Sequence, residues 1–195
     1  MMRQLLLLRH AKSSWDEPGL TDHARSLNAR GRRAAVAMAR AMRELGLAPD
    51  IIVVSSARRT LQTLEALRPF EHYPLIEPMD ALYLAPWQLL LEGVRTVPPT
   101  ARSLLVIGHN PGLHELALAL ASAAGMAPGE ATSPTQGSAP GPAHGNAAAR
   151  LAAGYPTGTL VEFAIAAPWH LLEPGGGQLV RYLTPRDLPG GYDPE

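Results

Sequence analysis

The sequence contains no cysteine among its 195 residues. It therefore has no disulfide framework, no thiolate nucleophile and no cysteine-ligated zinc site, so any covalent chemistry must use another side chain. Its hydrophobic runs are also too short to cross a bilayer. The leucines at residues 5–8 are followed by Arg9, His10 and Lys12 rather than by the small-residue cleavage site of a signal peptide. We expect a cytoplasmic protein without a membrane segment.

Net charge is absent as well, since 17 basic side chains balance 17 acidic ones. This balance gives no reason to expect nucleic acid or an anionic membrane as a partner. Basic residues are nevertheless concentrated on one face of the helix predicted at residues 29–45. We interpret that face as solvated, with attraction of an anionic partner as the alternative. Its members are Arg30, Arg32, Arg33, Arg40 and Arg43.

The length and the hydrophobic pattern predict one α/β domain over residues 1–195. Short apolar runs indicate buried strands, and stretches with apolar residues three or four positions apart indicate helices between them. Two further strands on either side of a glycine-rich turn indicate a hairpin, which would add antiparallel strands to one side of a mostly parallel sheet. The predicted strands are residues 5–8, 50–54, 75–76, 103–107, 159–165 and 178–183.

Residues 122–156 differ from the rest of the chain because alanine, glycine, proline, serine and threonine dominate there. Such a composition buries too little apolar surface to offset the entropy of ordering the chain. We predict a flexible insertion between structural elements over this range.

Polar residues that bind anions follow three of the predicted strands. Arg9 and His10 follow the first, Arg59 lies in the first helical turn after the second, and His109 follows the strand at residues 103–107. The carboxyl ends of parallel strands meet at one edge of a sheet, where ligands bind. Asn110 is predicted to cap the next helix, with proline in its first position.

These residue types suit phosphoryl transfer, in which catalysis consists mainly of positioning the group and neutralising its charge. Two forked guanidiniums and an imidazolium can do this without a metal. His10 would attack through one neutral nitrogen while the other donates to a backbone carbonyl, and water would then release the phosphate. We expect no metal or other cofactor, since the arginines would repel a divalent cation and no HExxH spacing is present.

Several segments together resemble the histidine phosphatase superfamily, the phosphoglycerate mutase-like proteins, and within it the SixA-like phosphohistidine phosphatases. They are residues 7–13 (LLRHAKS), 25–31 (RSLNARG), 55–63 (SSARRTLQT), 108–112 (GHNPG) and 184–188 (TPRDL). The resemblance implies a three-layer α/β/α sandwich, phosphorylation of His10, and a phosphate held by Arg9, Arg59 and His109. The chain has Ala11 where much of the superfamily has glycine, and Ser26 where relatives often have proline.

The proton donor is not defined by the resemblance. Many members of the superfamily place a glutamate after the third strand, and here Glu77 and Asp80 compete for that place. We take Asp80 as the candidate donor, with Glu77 or no acid at all as alternatives, and Ser13 as a further candidate for substrate binding. A phosphohistidine can be protonated before cleavage and needs no strong acid, whereas an alkyl phosphate needs one. The lack of an obvious acid therefore favours phosphohistidine as the substrate.

The sequence thus predicts a metal-independent protein phosphohistidine phosphatase. Its partner would be a phosphorylated protein, such as a phosphotransfer domain in signal transduction or sugar transport, or a small phosphate compound. The alternatives are a phosphatase for small phosphate monoesters and a protein that binds phosphorylated partners without turnover.

Overall fold

A computed structural model describes residues 2–16, 19–70, 72–122 and 142–190 of the chain. Its centre is one six-stranded sheet with the strand order β3-β2-β4-β1-β5-β6. The strands are β1 (Arg3–Arg9), β2 (Ile51–Ser55), β3 (Leu75–Met79), β4 (Ser103–Gly108), β5 (Leu160–Ile165) and β6 (Gly177–Leu183).

The sheet is parallel on one side of β1 and antiparallel on the other. On the parallel side β1 pairs with β4, and the register sets Leu5 beside Leu104. On the other side β1 pairs antiparallel with β5, which in turn pairs antiparallel with β6. This confirms the predicted mostly parallel sheet with an antiparallel C-terminal hairpin. The unbroken leucine run of β1 is explained by its central place, because a strand covered on both faces is apolar along its whole length.

Helices cover both faces, which confirms the three-layer architecture. Leu6 and Leu8 of β1 pack into the core under two of the helices, whereas Leu5 and Leu7 pack into the core under the other three. Residues on alternate faces of one strand thus serve two cores. The first pair of helices is α1 (Ala29–Glu44) and α2 (Arg58–Ala66); the other three are α3 (Trp87–Arg95), α4 (Gly112–Ala121) and α5 (Pro142–Ala153). None of the helices in the described ranges has the length and apolar content needed to span a bilayer.

The start of α1 lies tightly against the loop that follows β1. Asn28 caps the helix through its side-chain oxygen, which accepts from the backbone N–H of Gly31 at 2.7 Å. A Cβ atom on Gly31 would lie 2.0 Å from the carbonyl oxygen of Lys12, so only glycine fits there. The helix therefore supports the loop that carries His10.

The predicted flexible insertion at residues 122–156 is wrong for its last part. Residues 123–141 lie outside the described residues, but α5 is a helix whose Leu151 packs in the core. Tyr155 follows it, is buried, and donates its hydroxyl to the carbonyl of Leu7 at 2.7 Å. The prediction took the alanine-rich composition as a sign of flexibility, but alanine favours helix. Leu151 and the neighbouring Tyr155 pack this helix into the core.

Candidate active site

The carboxyl ends of β2, β4 and β1 lie side by side and bring three of the predicted residues together. The ring centroids of His10 and His109 are 5.2 Å apart. Between them, Arg59 places Nε 3.3 Å from His10 Nε2 and Nη2 3.3 Å from His109 Nδ1. All three side chains are buried. One tetrahedral anion could contact all three groups.

These residues lie at the floor of a cleft of about 340 Å³. Arg9 and Ser13 also line it, so five of the predicted site residues share one cavity. Asp80 and Glu77 do not line it. The full lining is Arg9, His10, Lys12, Ser13, Trp15, Asp22, Arg25, Arg59, Leu84, His109, Asn110 and Thr157.

His10 is held in the form that a nucleophile requires. Its Nδ1 lies 2.7 Å from the carbonyl oxygen of Ala11, which can only accept, so Nδ1 carries the proton. The lone pair is then on Nε2, the atom that faces Arg59. The pKa of His10 is lowered to about 4, chiefly by burial; the hydrogen bond to the Ala11 carbonyl opposes this effect, and the neighbouring guanidiniums add to it. The ring is therefore neutral at physiological pH.

His109 is oriented by a residue that sequence reasoning missed. Arg59 can only donate, so His109 Nδ1 accepts its contact and Nε2 donates to the hydroxyl of Ser55 at 2.8 Å. Ser55 ends β2 and is fully buried. Burial, followed by the charges of His10 and Arg59, lowers the pKa of His109 to about 3. A bound phosphate would supply the negative charge that raises this pKa again.

Arg9 adds a second guanidinium at the end of β1. Its Nη1 donates to the carbonyl of Tyr155 at 2.7 Å, while its buried Nε has no hydrogen-bond partner within the described residues. Burial and the nearby charge of Arg59 lower the pKa of Arg9. Two guanidiniums that repel each other in a partly buried site favour the binding of a multiply charged anion.

Asp22 is the main residue that the sequence prediction overlooked. It lies in the loop between β1 and α1, and its Oδ2 accepts from Arg59 Nη2 at 2.9 Å and from the hydroxyl of Tyr83 at 2.6 Å. Its backbone carbonyl accepts from Arg59 Nη1 at 2.5 Å, and Oδ1 accepts from Arg25 at 2.8 Å. The hydrogen bond from Tyr83, together with the two arginines, holds the pKa of Asp22 far below its usual range.

Asp22 is also the only carboxylate that lines the cleft in the described part of the chain. Because it is ionised and accepts hydrogen bonds from Arg25, Arg59 and Tyr83, it holds Arg59 in place and is no source of a proton. No periodicity marks Asp22 in the sequence. The only signal for it is an acid three residues before Arg25 in a loop that follows His10.

The two predicted proton donors lie elsewhere. Asp80 begins a short 3-10 turn after β3 and is exposed. Glu77 lies on the edge strand β3, where its backbone pairs with Val53, and it lines a different cavity. The same segment reaches the cleft three and four residues after Asp80, where Tyr83 packs its ring edge-on against His109 at 5.4 Å and Leu84 lines the cleft.

One detail of the predicted loops needs correction, and one stays a prediction. Asn110 does not cap α4: the helix begins at Gly112 after Pro111, and Asn110 Nδ2 donates to the carbonyl of Tyr155 at 3.0 Å. The hydroxyl of Ser13, proposed for substrate binding, accepts from Arg25 Nη2 at 2.9 Å. Ser13 lines the cleft and keeps its own O–H to donate, so its part in substrate binding stays a prediction.

No group of three or more histidine, aspartate or glutamate side chains in the described ranges is arranged to hold a metal ion. The charged side chains around the cleft are instead three arginines, one lysine and one aspartate. Such a predominantly cationic lining suits an anion.

Comparison with known proteins agrees with this geometry. Residues 5–82 match the family model of the Histidine phosphatase superfamily (branch 1). The chain is 30% identical over 182 residues to the uncharacterized protein Rv1276c of Mycobacterium tuberculosis strain H37Rv. This match covers 92% of this chain and 100% of that protein. It is 32% identical over 133 residues to the uncharacterized chloroplastic protein At3g52155 of Arabidopsis thaliana, where the match covers 62% of this chain and 60% of that protein.

Solved structures extend the likeness over the whole fold. One protein from Nakamurella multipartitia, assigned as phosphohistidine phosphatase SixA, matches with a TM-score of 0.75 and 27% identity over 94% of this chain and 96% of its own. A second, from Agrobacterium tumefaciens and with the same assignment, matches with a TM-score of 0.72 and 25% identity over 94% of this chain and 98% of its own. The chain thus belongs to the histidine phosphatase superfamily, in its SixA-like branch.

Proposed function

We propose that this phosphatase hydrolyses phosphohistidine in proteins through a phosphohistidine intermediate on His10. Membership of the superfamily supports phosphatase activity, and the SixA assignments of the similar structures favour phosphohistidine. The observation that carries the proposal is the tautomer of His10. Its Nδ1–H is fixed on the Ala11 carbonyl, so the lone pair of Nε2 lies between Arg59 and His109, where a phosphoryl group would be held.

The phosphate of the substrate would bind to the donor groups of Arg59 that face the two histidines. The long contacts of Arg59 with the two imidazoles, at 3.3 Å each, are those that phosphate oxygens would replace. Asp22 stays on the outer side of the guanidinium and fixes its plane. Arg9 and a protonated His109 would bind the remaining oxygens. These contacts neutralise the charge on the equatorial oxygens, which is the main requirement of phosphoryl transfer.

The reaction then proceeds in two displacements. His10 Nε2 attacks phosphorus as the bond from phosphorus to the substrate nitrogen breaks, and the substrate imidazole leaves with a proton that it took up before cleavage. A water molecule next attacks the phosphoryl group on His10. The bond from phosphorus to Nε2 breaks, orthophosphate leaves with the proton of the water, and Nε2 regains its lone pair.

Among the residues that the structure describes, no neutral carboxylic acid lines the cleft, which favours a phosphoramidate over an alkyl phosphate as the substrate. An alkoxide leaving group needs a proton from a strong general acid, whereas an imidazole does not. Asp22 is ionised, and both Asp80 and Glu77 lie outside the lining. We therefore expect rates on a phosphohistidine peptide to exceed those on an alkyl phosphate.

The test combines trapping with rate measurement. Wild-type protein is mixed with a ³²P-phosphohistidine peptide, quenched in base and assayed for acid-labile label on the protein. We expect label on the wild type and on the exposed-histidine control His170→Ala, and none on His10→Ala, with turnover reduced about 10⁴-fold or more. Binding of the peptide with no label and no phosphate release would identify a binding protein. Faster hydrolysis of an alkyl phosphate than of the peptide would identify an esterase.

A further inference from the structure

Two apolar side chains interrupt the otherwise polar lining of the cleft. They are Trp15 and Leu84, and both are strongly exposed, at 75% and 51% respectively. Neither packs into the two cores that the structure describes, so core packing does not explain why large apolar residues lie here. Exposed apolar side chains grouped at one cleft are typical of a binding surface.

The ring of Trp15 is held against a fixed guanidinium. Arg25 Cζ lies 3.1 Å from the centroid of the indole. The nitrogen atoms of this guanidinium donate in three directions, to the Ser14 carbonyl at 2.8 Å, to Asp22 at 2.8 Å and to the Ser13 hydroxyl at 2.9 Å. These bonds use the edge of the guanidinium and leave its face for the indole. Since Arg25 covers one face of a ring that is 75% exposed, the opposite face is accessible.

Leu84 is kept at the cleft in a backbone conformation that leucine rarely adopts. Its φ angle is 50°, in the left-handed region. A residue other than glycine persists in this region only where the surrounding structure holds it, and such residues concentrate at ligand sites. Here the preceding Tyr83 provides the anchor, because its hydroxyl donates to Asp22 at 2.6 Å and its ring packs against His109.

The charge of the cleft suits the phosphate of the proposed substrate better than its leaving group. Four cationic side chains and one carboxylate line the cleft in the described part of the chain. The imidazole of the substrate takes up a proton before cleavage and is then a cation itself, so these side chains repel it. The face of an aromatic ring attracts a cation, tryptophan most strongly, and flat rings also stack on one another.

We propose that the accessible face of Trp15 binds the imidazole ring of the phosphohistidine, with Leu84 as a second apolar contact. This inference rests on the proposed function and adds a source of specificity to it: the flat ring that carries the transferred phosphoryl group. Phospholysine contains the same kind of phosphorus–nitrogen bond but has no ring to stack. The enzyme should therefore prefer phosphohistidine to phospholysine.

The test compares two peptides of one sequence that carry either phosphohistidine or phospholysine at the same position. The measured quantity is the ratio of the two kcat/KM values for phosphate release. Both leaving groups take up a proton, so the ratio reports the contact made by the ring. We expect the ratio to fall about fivefold in Trp15→Ala, as for the loss of one aromatic pair. Leu84→Ala should lower it about twofold, because fewer contacts are removed.

Two further variants show whether the aromatic ring at this place is responsible. Trp15→Phe keeps an aromatic face and should retain most of the ratio. Tyr73→Ala removes a fully exposed aromatic side chain outside the cleft lining and should leave the ratio unchanged. A disturbance of Arg25 by Trp15→Ala would affect both peptides and cancel in the ratio. The proposal is overturned if the ratio is the same in Trp15→Ala as in the wild type, or if Trp15→Phe or Tyr73→Ala lowers it as much as Trp15→Ala.

A binding measurement separates this inference from the proposed function. One peptide carries a phosphonate on a triazole ring, which resembles phosphohistidine and cannot be hydrolysed, and the other carries a phosphonate on an aliphatic chain. By calorimetry we expect the ring peptide to bind the wild type about fivefold more tightly, and this difference to disappear in Trp15→Ala. If neither phosphopeptide releases phosphate, the proposed function fails whatever the affinities are. Equal Kd values for the two phosphonates, or a difference that persists in Trp15→Ala, would reject the role of Trp15 even if phosphohistidine is hydrolysed.

Discussion

The parallel part of the sheet, β3-β2-β4-β1, and the C-terminal segment made of α5, β5 and β6 contribute to the cleft in different ways. The parallel strands end in buried polar side chains: His10 after β1, Ser55 on β2 and His109 after β4. The C-terminal segment contributes through the backbone, since the carbonyl of Tyr155 accepts from both Arg9 and Asn110.

The two regions therefore have different roles: the parallel part supplies the reacting side chains, and the C-terminal segment stabilises the backbone around them. In the parallel part, the identity of the side chains determines the chemistry of the cleft. Burial lowers the pKa of both His10 and His109, and the guanidinium of Arg59 lies between them. In the C-terminal segment, the backbone carbonyl of Tyr155 joins Arg9 at the end of β1 to Asn110 after β4. Substitutions in the first region should act on turnover, and substitutions in the second should act on stability.

After the loss of the nucleophile His10, the largest effect on turnover is expected for Arg59, which can be compared with its chain neighbour. Arg59→Ala removes the guanidinium that spans His10 and His109, whereas Arg58→Ala removes an exposed arginine of the same helical turn. We expect kcat/KM to fall about 10³-fold for Arg59→Ala, as for the loss of a donor to the charge of a transition state, and less than about twofold for Arg58→Ala. Steady-state phosphate release measures both. Similar losses in the two variants would place the anion site elsewhere.

The second effect is a pH dependence of stability that originates in the parallel part. The pKa of His10 is about 4 in the folded protein and near 6.5 when unfolded, so the unfolded state binds more protons between these values. Stability should therefore fall as the pH drops from 6.5 toward 4, by about 2 kcal/mol at pH 5 from this residue, and should not change from this cause above pH 7.

Urea unfolding at pH 7.5 and pH 5, in buffers free of phosphate, provides the measurement. The wild type should lose more stability between the two pH values than His10→Asn, which carries no titrating ring. Equal losses would mean that His10 is protonated in the folded protein at pH 5, and it would then be a poor nucleophile under those conditions.

The same division explains how much of the site could be predicted from the sequence. Four site residues lie at the end of a short apolar run or in the turn that follows it: Arg9, His10, Arg59 and His109. Parallel strands bring these ends to one edge of the sheet, and this does not depend on the conformation of the loops. Asp22 and Ser55 lack that context. Asp22 reaches Arg59 from a loop 37 positions earlier in the chain, and no local pattern encodes a contact of this range.

The C-terminal segment was predicted less well for a different reason. The strands at residues 159–165 and 178–183 could be predicted because a glycine-rich turn separates them, but α5 consists largely of alanine and small residues. Its order depends on docking, through Leu151 in the core and through the neighbouring Tyr155. Local composition measures the apolar surface of a segment and does not show whether a complementary surface exists for it.

The smallest effect is expected for Tyr155→Phe, which tests the supporting role directly. The substitution keeps the ring and the backbone carbonyl that binds Arg9, and removes only the hydroxyl that donates to the Leu7 carbonyl of β1. Leu7 still pairs with Val161 in the sheet, so the loss is that of one buried hydrogen bond and should lower the free energy of unfolding by about 1 kcal/mol. Because the cleft side chains are untouched, kcat/KM should change by less than about twofold. Urea unfolding and phosphate release are measured on the same preparation. A large loss of turnover at unchanged stability would show that the C-terminal segment takes part in the chemistry. The distinction between the two regions would then be wrong.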